Sequence, residues 1–115
     1  MAPAPHDPPA SDWKTEIRAR FDMVAYASRH LGARVRQESL NEVRILGQGG
    51  LLINLKKQIW NSFGVDGRGT VGGDCFALVG YLEYRNPRPS GELWRTVVQR
   101  AAEIAGVTLP TDGAI

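Results

Sequence analysis

The spacing of hydrophobic residues changes twice along this 115-residue chain. Toward both ends apolar residues recur every three or four positions, as on one face of a helix, and in the middle they alternate with polar residues, as in a strand. The order of helices, strands and helices predicts an α+β fold, with a small antiparallel sheet flanked by N-terminal and C-terminal helices. The length suits one domain with one core.

Capping residues and periodicity together predict the bounds of the helices. We expect helices over 13–21, 23–31, 75–84 and 91–105. Before each stands a side chain that can accept hydrogen bonds from the first free N–H groups, namely Asp12, Asp22, Asp74 and Ser90. Gly32 and Gly106 are suited to ending two of the helices.

The middle of the chain predicts strands over 42–46, 51–55 and 58–63. The second and third form a hairpin, and Lys56 and Lys57 lie in its connection. A glycine-rich loop over 64–73 is expected to follow and to lead into the third helix.

The two ends of the chain differ in composition from the rest. Residues 1–11 are rich in Pro and Ala, which predicts a disordered tail, and 108–115 are expected to form a flexible one. A single domain over 12–107 remains. The sequence contains neither the roughly 20-residue apolar run of a membrane helix nor a signal peptide, so we expect a cytoplasmic protein without a membrane partner.

Residues suited to metal binding or catalysis are few. The only cysteine is Cys75 and the only histidines are His6 and His30, all far apart in sequence. A structural zinc site needs four ligands, usually including a Cys-x-x-Cys pair, so we expect no metal and no cofactor. Because no Ser/His/Asp or Cys/His arrangement is visible either, the chain is predicted to be non-catalytic.

The glycine-rich loop has two interpretations from its residues alone. Residues 67–72 read Gly-Arg-Gly-Thr-Val-Gly, the glycine spacing of a dinucleotide-binding loop. However, the next helix leads into Asn-Pro-Arg-Pro instead of a parallel strand, and Asp74 would repel a pyrophosphate at the helix N-terminus. The other interpretation is a turn in which glycines permit tight backbone geometry.

Positive charge is concentrated in the middle of the chain. The whole chain carries a net charge of +2, but residues 29–68 contain seven basic and three acidic residues. Such a surplus suits an anionic partner such as nucleic acid. A solvated surface without a partner is the alternative.

Two short motifs on either side of the glycine loop resemble a known family. Residues 60–65 read Trp-Asn-Ser-Phe-Gly-Val, and 72–76 read Gly-Gly-Asp-Cys-Phe. This order resembles the zinc-ribbon domain of bacterial DNA primases, where two cysteines enclose Phe-Gly and a Gly-Gly-Asp motif follows. The matching residues are Phe63, Gly64, Gly72, Gly73 and Asp74, whereas Ser62 and Val65 stand in place of the cysteines.

The resemblance covers residues 13–107. Residues 17–24 look like the opening helices of that domain, and 92–107 look like its closing helix. The first ligand pair of the family, Cys-Pro-x-His, should fall near 43–47, which read Val-Arg-Ile-Leu-Gly. The resemblance therefore implies a degenerate primase zinc-ribbon fold that is held together by packing instead of metal.

The resemblance also implies a function. In primases this domain is not catalytic, contacts single-stranded template on its sheet and helps to select where synthesis starts. The expected function is a non-catalytic nucleic-acid-binding accessory domain, active in replication of DNA or of a mobile element beside a primase, helicase or polymerase chain. The alternative is a protein-protein interaction module that has lost DNA binding.

Basic and aromatic residues near the sheet are the predicted contacts to single-stranded DNA or another nucleic acid. They are Arg44, Lys56, Lys57, Trp60 and Arg68. Basic groups neutralise phosphates, and an exposed aromatic ring can stack on a base for about 1–3 kcal/mol. Trp60 could instead belong to the core, since tryptophan is usually highly buried. Structural roles in a turn and a helix cap are expected for Gly64, Gly72, Gly73 and Asp74.

Overall fold

The computed structural model describes residues 13–46, 50–62 and 71–109. Its helices are α1 (Trp13–Arg20), α2 (Met23–Leu31), α3 (Cys75–Tyr84) and α4 (Gly91–Ala105). Its strands are β1 (Val35–Ser39), β2 (Glu42–Ile45), β3 (Leu51–Asn54), β4 (Ile59–Ser62) and β5 (Val71–Gly73). Helices precede and follow one antiparallel sheet, so the predicted α+β fold is confirmed. The tail predicted at 1–11 lies outside the described residues, as do residues 110–115 of the other tail.

The predicted helices agree with the observed ones to within one residue at each end. Asp22 caps α2 by accepting a hydrogen bond from the N–H of Ala25 at 3.0 Å, and Gly32 and Gly106 end α2 and α4 in the left-handed conformation. Ser90 is the N-cap residue of α4, as predicted, but its side chain makes no capping hydrogen bond. The chain enters α4 through a positive φ of 60° at Gly91, which departs from the usual capping geometry.

The sheet is a simple meander in which each strand pairs antiparallel with the next, in the order β1-β2-β3-β4-β5. Two of these strands were missed by the sequence prediction. β1 lacks a buried side chain, so it shows no hydrophobic alternation. β5 contains two glycines and lies within the segment 64–73, for which the sequence predicts a loop. Both strands are therefore specified by pairing with their neighbours instead of by their own residues.

The central strands bury one face of the sheet against the helices. Their buried side chains are Val43, Ile45, Leu51, Ile53, Trp60 and Ser62. Residues directly opposite each other in an antiparallel pair point to the same face, so this pattern assigns every paired residue to a side. We call the helix-covered side the inner face and the opposite side the outer face.

Trp60 lies at the centre of the core with 0% of its surface exposed. Its indole Nε1–H donates a hydrogen bond to the backbone oxygen of Asp74 at 2.8 Å, and its ring packs against Tyr81 with 5.1 Å between centroids. The expectation that Trp60 stacks on a base is thus corrected, since the ring has no exposed face to offer. Strand alternation turned Trp60 to the inner face, where hydrophobic burial stabilises it.

Gly72 and Gly73 lie in β5. Both positions require glycine, because neighbouring atoms leave no room for a side chain. A Cβ on Gly72 would lie 2.4 Å from the Trp60 carbonyl oxygen, and one on Gly73 would lie 2.6 Å from the Cβ of Ala77. The predicted turn at these two glycines is therefore wrong. They permit a close approach between β4, β5 and the start of α3, while Gly64 lies outside the described residues.

Asp74 joins three elements through three acceptor atoms. Its Oδ1 accepts a hydrogen bond from the N–H of Ala77 at 3.1 Å, so the predicted cap of α3 is confirmed. Its Oδ2 accepts from Nε and Nη2 of Arg18 in α1 at 3.2 and 3.0 Å, and its carbonyl accepts from Trp60. Asp74 thereby fixes the positions of α1, β4 and α3 relative to one another.

Replacing the core tryptophan tests its structural assignment. Trp60→Ala should lower the free energy of unfolding by about 3–5 kcal/mol, because it removes a large buried side chain and leaves a cavity. Trp94→Ala, at a partly exposed tryptophan of α4, should cost clearly less. Urea unfolding followed by circular dichroism measures both, and equal losses would contradict the central role of Trp60.

Replacing the capping residue separates the cap from the ion pair. Asp74→Ala should lower the free energy of unfolding by about 1 kcal/mol through loss of the cap. Asp74→Asn keeps an acceptor oxygen for the Ala77 N–H but loses the charge that pairs with Arg18, so it should be closer to wild type. If thermal unfolding shows Asn and Ala to be equally destabilising, the ion pair and not the cap carries the stability.

Candidate nucleic-acid interface

The outer face of the sheet presents one row of residues across all five strands. The strand register aligns Arg36, Arg44, Leu52, Asn61 and Gly72 in this row. Five strands at a spacing of about 4.8 Å make the row roughly 19 Å long. A second row beside it contains Glu42, Asn54 and Ile59. The outer face thus combines two arginines and a glutamate with amide and aliphatic groups.

Two arginine side chains converge on one carboxylate at the β1 end of the row. Arg36 Nη2 lies 3.3 Å from Oε1 of Glu38, and Nε of Arg44 donates a hydrogen bond to the same oxygen. Like charges directly opposite each other destabilise a strand pair, and the carboxylate between these two offsets their repulsion. The hydrogen bonds from Arg44 and then Arg36 hold the pKa of Glu38 below its usual value.

The two predicted lysines lie at one end of the sheet, in the turn between β3 and β4. Both Lys56 and Lys57 are exposed. The turn is ordered by Asn54, whose side-chain oxygen accepts a hydrogen bond from the backbone N–H of Lys57 at 2.8 Å. Asn54 belongs to the second row of the outer face, so the turn is attached to the end of that row. Arg68, the remaining predicted contact, lies outside the described residues.

The structure therefore places Arg44 on the outer face, Lys56 and Lys57 in the turn at one end of the sheet, and Trp60 on the inner face. Sequence reasoning missed Arg36, because β1 has no apolar alternation that would reveal a strand. It also missed Asn61. The alternation of β4 would have placed Asn61 outward once Trp60 was assigned to the core, because successive side chains of a strand point to opposite faces.

A second basic region lies among the helices, in a cleft of about 490 Å³ between α1, α2 and α4. Its walls include Arg20, Arg29, His30 and Arg100. Two of these arginines are engaged within the protein, Arg20 with Glu16 at 3.0 Å and Arg100 with Glu83 at 3.1 Å. Basic residues near helix C-termini also complement the helix dipole. Two of the four basic groups of this cleft are thus paired with acidic side chains of the protein.

A partly buried polar network links three helices at that cleft. The hydroxyl of Tyr26 donates a hydrogen bond to Oε2 of Glu83 at 2.7 Å, and Nε of Arg100 donates to both oxygens of the same carboxylate. Burial, and then the hydrogen bond to Glu83, raise the pKa of Tyr26 well above its usual value. These contacts hold α2, α3 and α4 together.

The described residues offer no cluster of three or more His, Cys, Asp or Glu side chains that could hold a metal ion. Cys75 is buried at the start of α3. Burial, and then the charge of Asp74, raise its pKa to about 12, so the thiol is in its unreactive protonated form near neutral pH. Across the described ranges, no helix is long and apolar enough to cross a membrane.

Comparison of the chain with protein-family models, curated proteins and solved structures finds no match.

The buried thiol predicts a specific dependence on pH. Labelling of native protein by a thiol reagent at pH 8 should be slow. In urea, the unfolded protein should be labelled at the ordinary rate of a cysteine with a pKa near 8.5. Since folding raises the pKa of Cys75, the unfolded state loses its proton first as pH rises. The free energy of unfolding should therefore fall from about pH 8.5 toward pH 12. Rapid labelling of native protein would contradict the buried assignment.

Proposed function

We propose that this protein is a non-catalytic accessory domain that binds single-stranded nucleic acid on the outer face of its sheet. The observation that carries the proposal is the convergence of Arg36 and Arg44 on the outer face of the sheet, with Lys56 and Lys57 exposed in the turn at one end of that sheet. Arginine presents a fork of N–H donors that matches phosphate oxygens, and lysine supplies a mobile point charge. Together these residues suit a short stretch of sugar-phosphate backbone.

The remaining groups of the outer face suit contact with bases. Leu52 is partly exposed and Ile59 is 37% exposed, so both offer apolar surface against which a base can pack. Asn61 is exposed and carries an amide that can donate and accept hydrogen bonds. Because Trp60 is turned inward, the described residues of these two rows include no aromatic ring that could stack on a base. We therefore expect weak binding that depends strongly on salt.

The resemblance to the primase zinc-ribbon domain supports the same face, because that family contacts template through its sheet. The biological setting we propose is replication of DNA or of a mobile element, in the cytoplasm. A primase, helicase or polymerase chain would supply the catalysis. The position of Ser62 on the inner face, with 1% of its surface exposed, is compatible with a sheet held by packing at a position where the family has a cysteine.

A protein-protein interaction module is the second candidate. The observation that favours it is the balance of charge on the outer face, where Glu38 and Glu42 offset Arg36 and Arg44. A face with paired charges and apolar groups resembles the mixed surface of many protein interfaces. The two candidates differ in their response to salt, because only nucleic-acid binding releases condensed counterions.

Titration of a labelled thirty-nucleotide single strand at several salt concentrations tests the proposal. With three or four phosphates in contact, log K should fall with log salt with a slope of roughly −2 to −3. Arg36→Gln with Arg44→Gln, and separately Lys56→Gln with Lys57→Gln, should weaken binding and flatten the slope. Both pairs should act alike on all sequences, because phosphate contacts carry no base information.

Arg29→Gln with Arg95→Gln is the matched control, since it also removes two positive charges, from exposed positions of α2 and α4 on the helical side of the protein. It should change the affinity much less than the outer-face variants. Absence of binding by wild-type protein at low salt would refute the nucleic-acid proposal and leave the interaction module as the leading candidate. Equal effects of the control and the outer-face variants would show that binding is not located on the sheet.

A further inference from the structure

Glu38 occupies the position between Arg36 and Arg44 that a phosphate oxygen would need. Both arginines direct their hydrogen bonds at the same atom, Oε1 of Glu38. A carboxylate oxygen and a phosphate oxygen are equivalent acceptors for a guanidinium group, and each carries negative charge. The two side chains are thus already arranged around an anion, which the protein itself supplies.

The backbone at Glu38 is suited to movement. β1 is an edge strand in which all five residues are exposed. The pairing with β2 shifts between Gln37 and Ser39, which leaves Glu38 without a partner residue in the ladder. Such a bulge locally disrupts the ladder, so Glu38 can turn away without breaking the pairing of a central strand.

The two ion pairs are also weak enough to be exchanged. The side chain of Arg36 is 58% exposed and those of Arg44 and Glu38 are each 28% exposed, so water screens their attraction. A backbone phosphate offers two acceptor oxygens and one negative charge, as a carboxylate does, and its binding in addition releases condensed counterions. A phosphate can therefore displace Glu38, while the carboxylate continues to compete for the arginines.

From this arrangement we infer that Glu38 is an internal competitor of nucleic acid, an anion that holds the arginine pair ready in the free protein and lowers its affinity for phosphate. The inference rests on the proposed function of the outer face. It assigns Glu38 a role in regulating that site: a change that neutralises or removes this carboxylate strengthens binding.

Glu38→Gln tests the inference, because it keeps the size and an acceptor oxygen of the side chain and removes its charge. Binding of the thirty-nucleotide strand should become about two- to fivefold tighter, the range expected for loss of an exposed ion-pair competitor. Glu42→Gln is the matched control. It removes the same charge from the same face, but Glu42 contacts the hydroxyl of Ser39 and lies in no ion pair among the described residues.

The same substitution in a background that lacks the arginines completes the test. In protein carrying Arg36→Gln and Arg44→Gln, Glu38→Gln should have no more effect than Glu42→Gln, since nothing remains for the carboxylate to compete for. Circular dichroism of each variant checks that the fold is retained.

The outcomes separate the inference from the proposed function. Equal affinities of Glu38→Gln and Glu42→Gln, in a protein that binds through Arg36 and Arg44, would overturn the inference alone. Absence of binding by wild type and by Glu38→Gln at low salt would overturn both. Tighter binding by Glu38→Gln than by Glu42→Gln, with the difference lost in the Arg36→Gln and Arg44→Gln background, would support the inference.

Discussion

The structure depends on the hydrogen bond between the indole of Trp60 and the backbone oxygen of Asp74. This contact attaches the fourth strand to the start of α3, while the side chain of Asp74 caps α3 and pairs with Arg18 of α1. One residue therefore holds a strand and two helices in a fixed relation. Gly72 and Gly73 permit it, because side chains there would collide with the Trp60 carbonyl and with Ala77.

Burial of Trp60 also decides the two faces of the sheet. Because strand side chains alternate, a tryptophan on the inner face places Asn61 on the outer face, and the register extends this assignment through Leu52 and Arg44 to Arg36. The hydrophobic core and the proposed interface are thus two consequences of one alternation. A shift of the register by one residue would exchange the residues of the core with those of the outer face.

Side-chain contacts connect Ser62, at the end of β4, to α3. Ser62 is buried on the inner face, and its hydroxyl lies 3.4 Å from the hydroxyl of Tyr81. Tyr81 in turn packs on Trp60, so this region of the sheet is connected to α3 through side-chain contacts. Elsewhere, the network of Tyr26, Glu83 and Arg100 connects the helices to one another.

The sequence by itself determined the four helices, the three central strands, the α+β order and the cap at Asp74, because each of these depends on local periodicity or on a side chain next to its own backbone. Tertiary structure decided the remainder. β1 and β5 form because a neighbouring strand offers hydrogen bonds to segments with little strand propensity of their own. The side of the sheet occupied by Trp60, and the meeting of Arg36 and Arg44 around Glu38, follow from strand register. Register pairs residues of different strands, so it leaves no pattern within either strand alone.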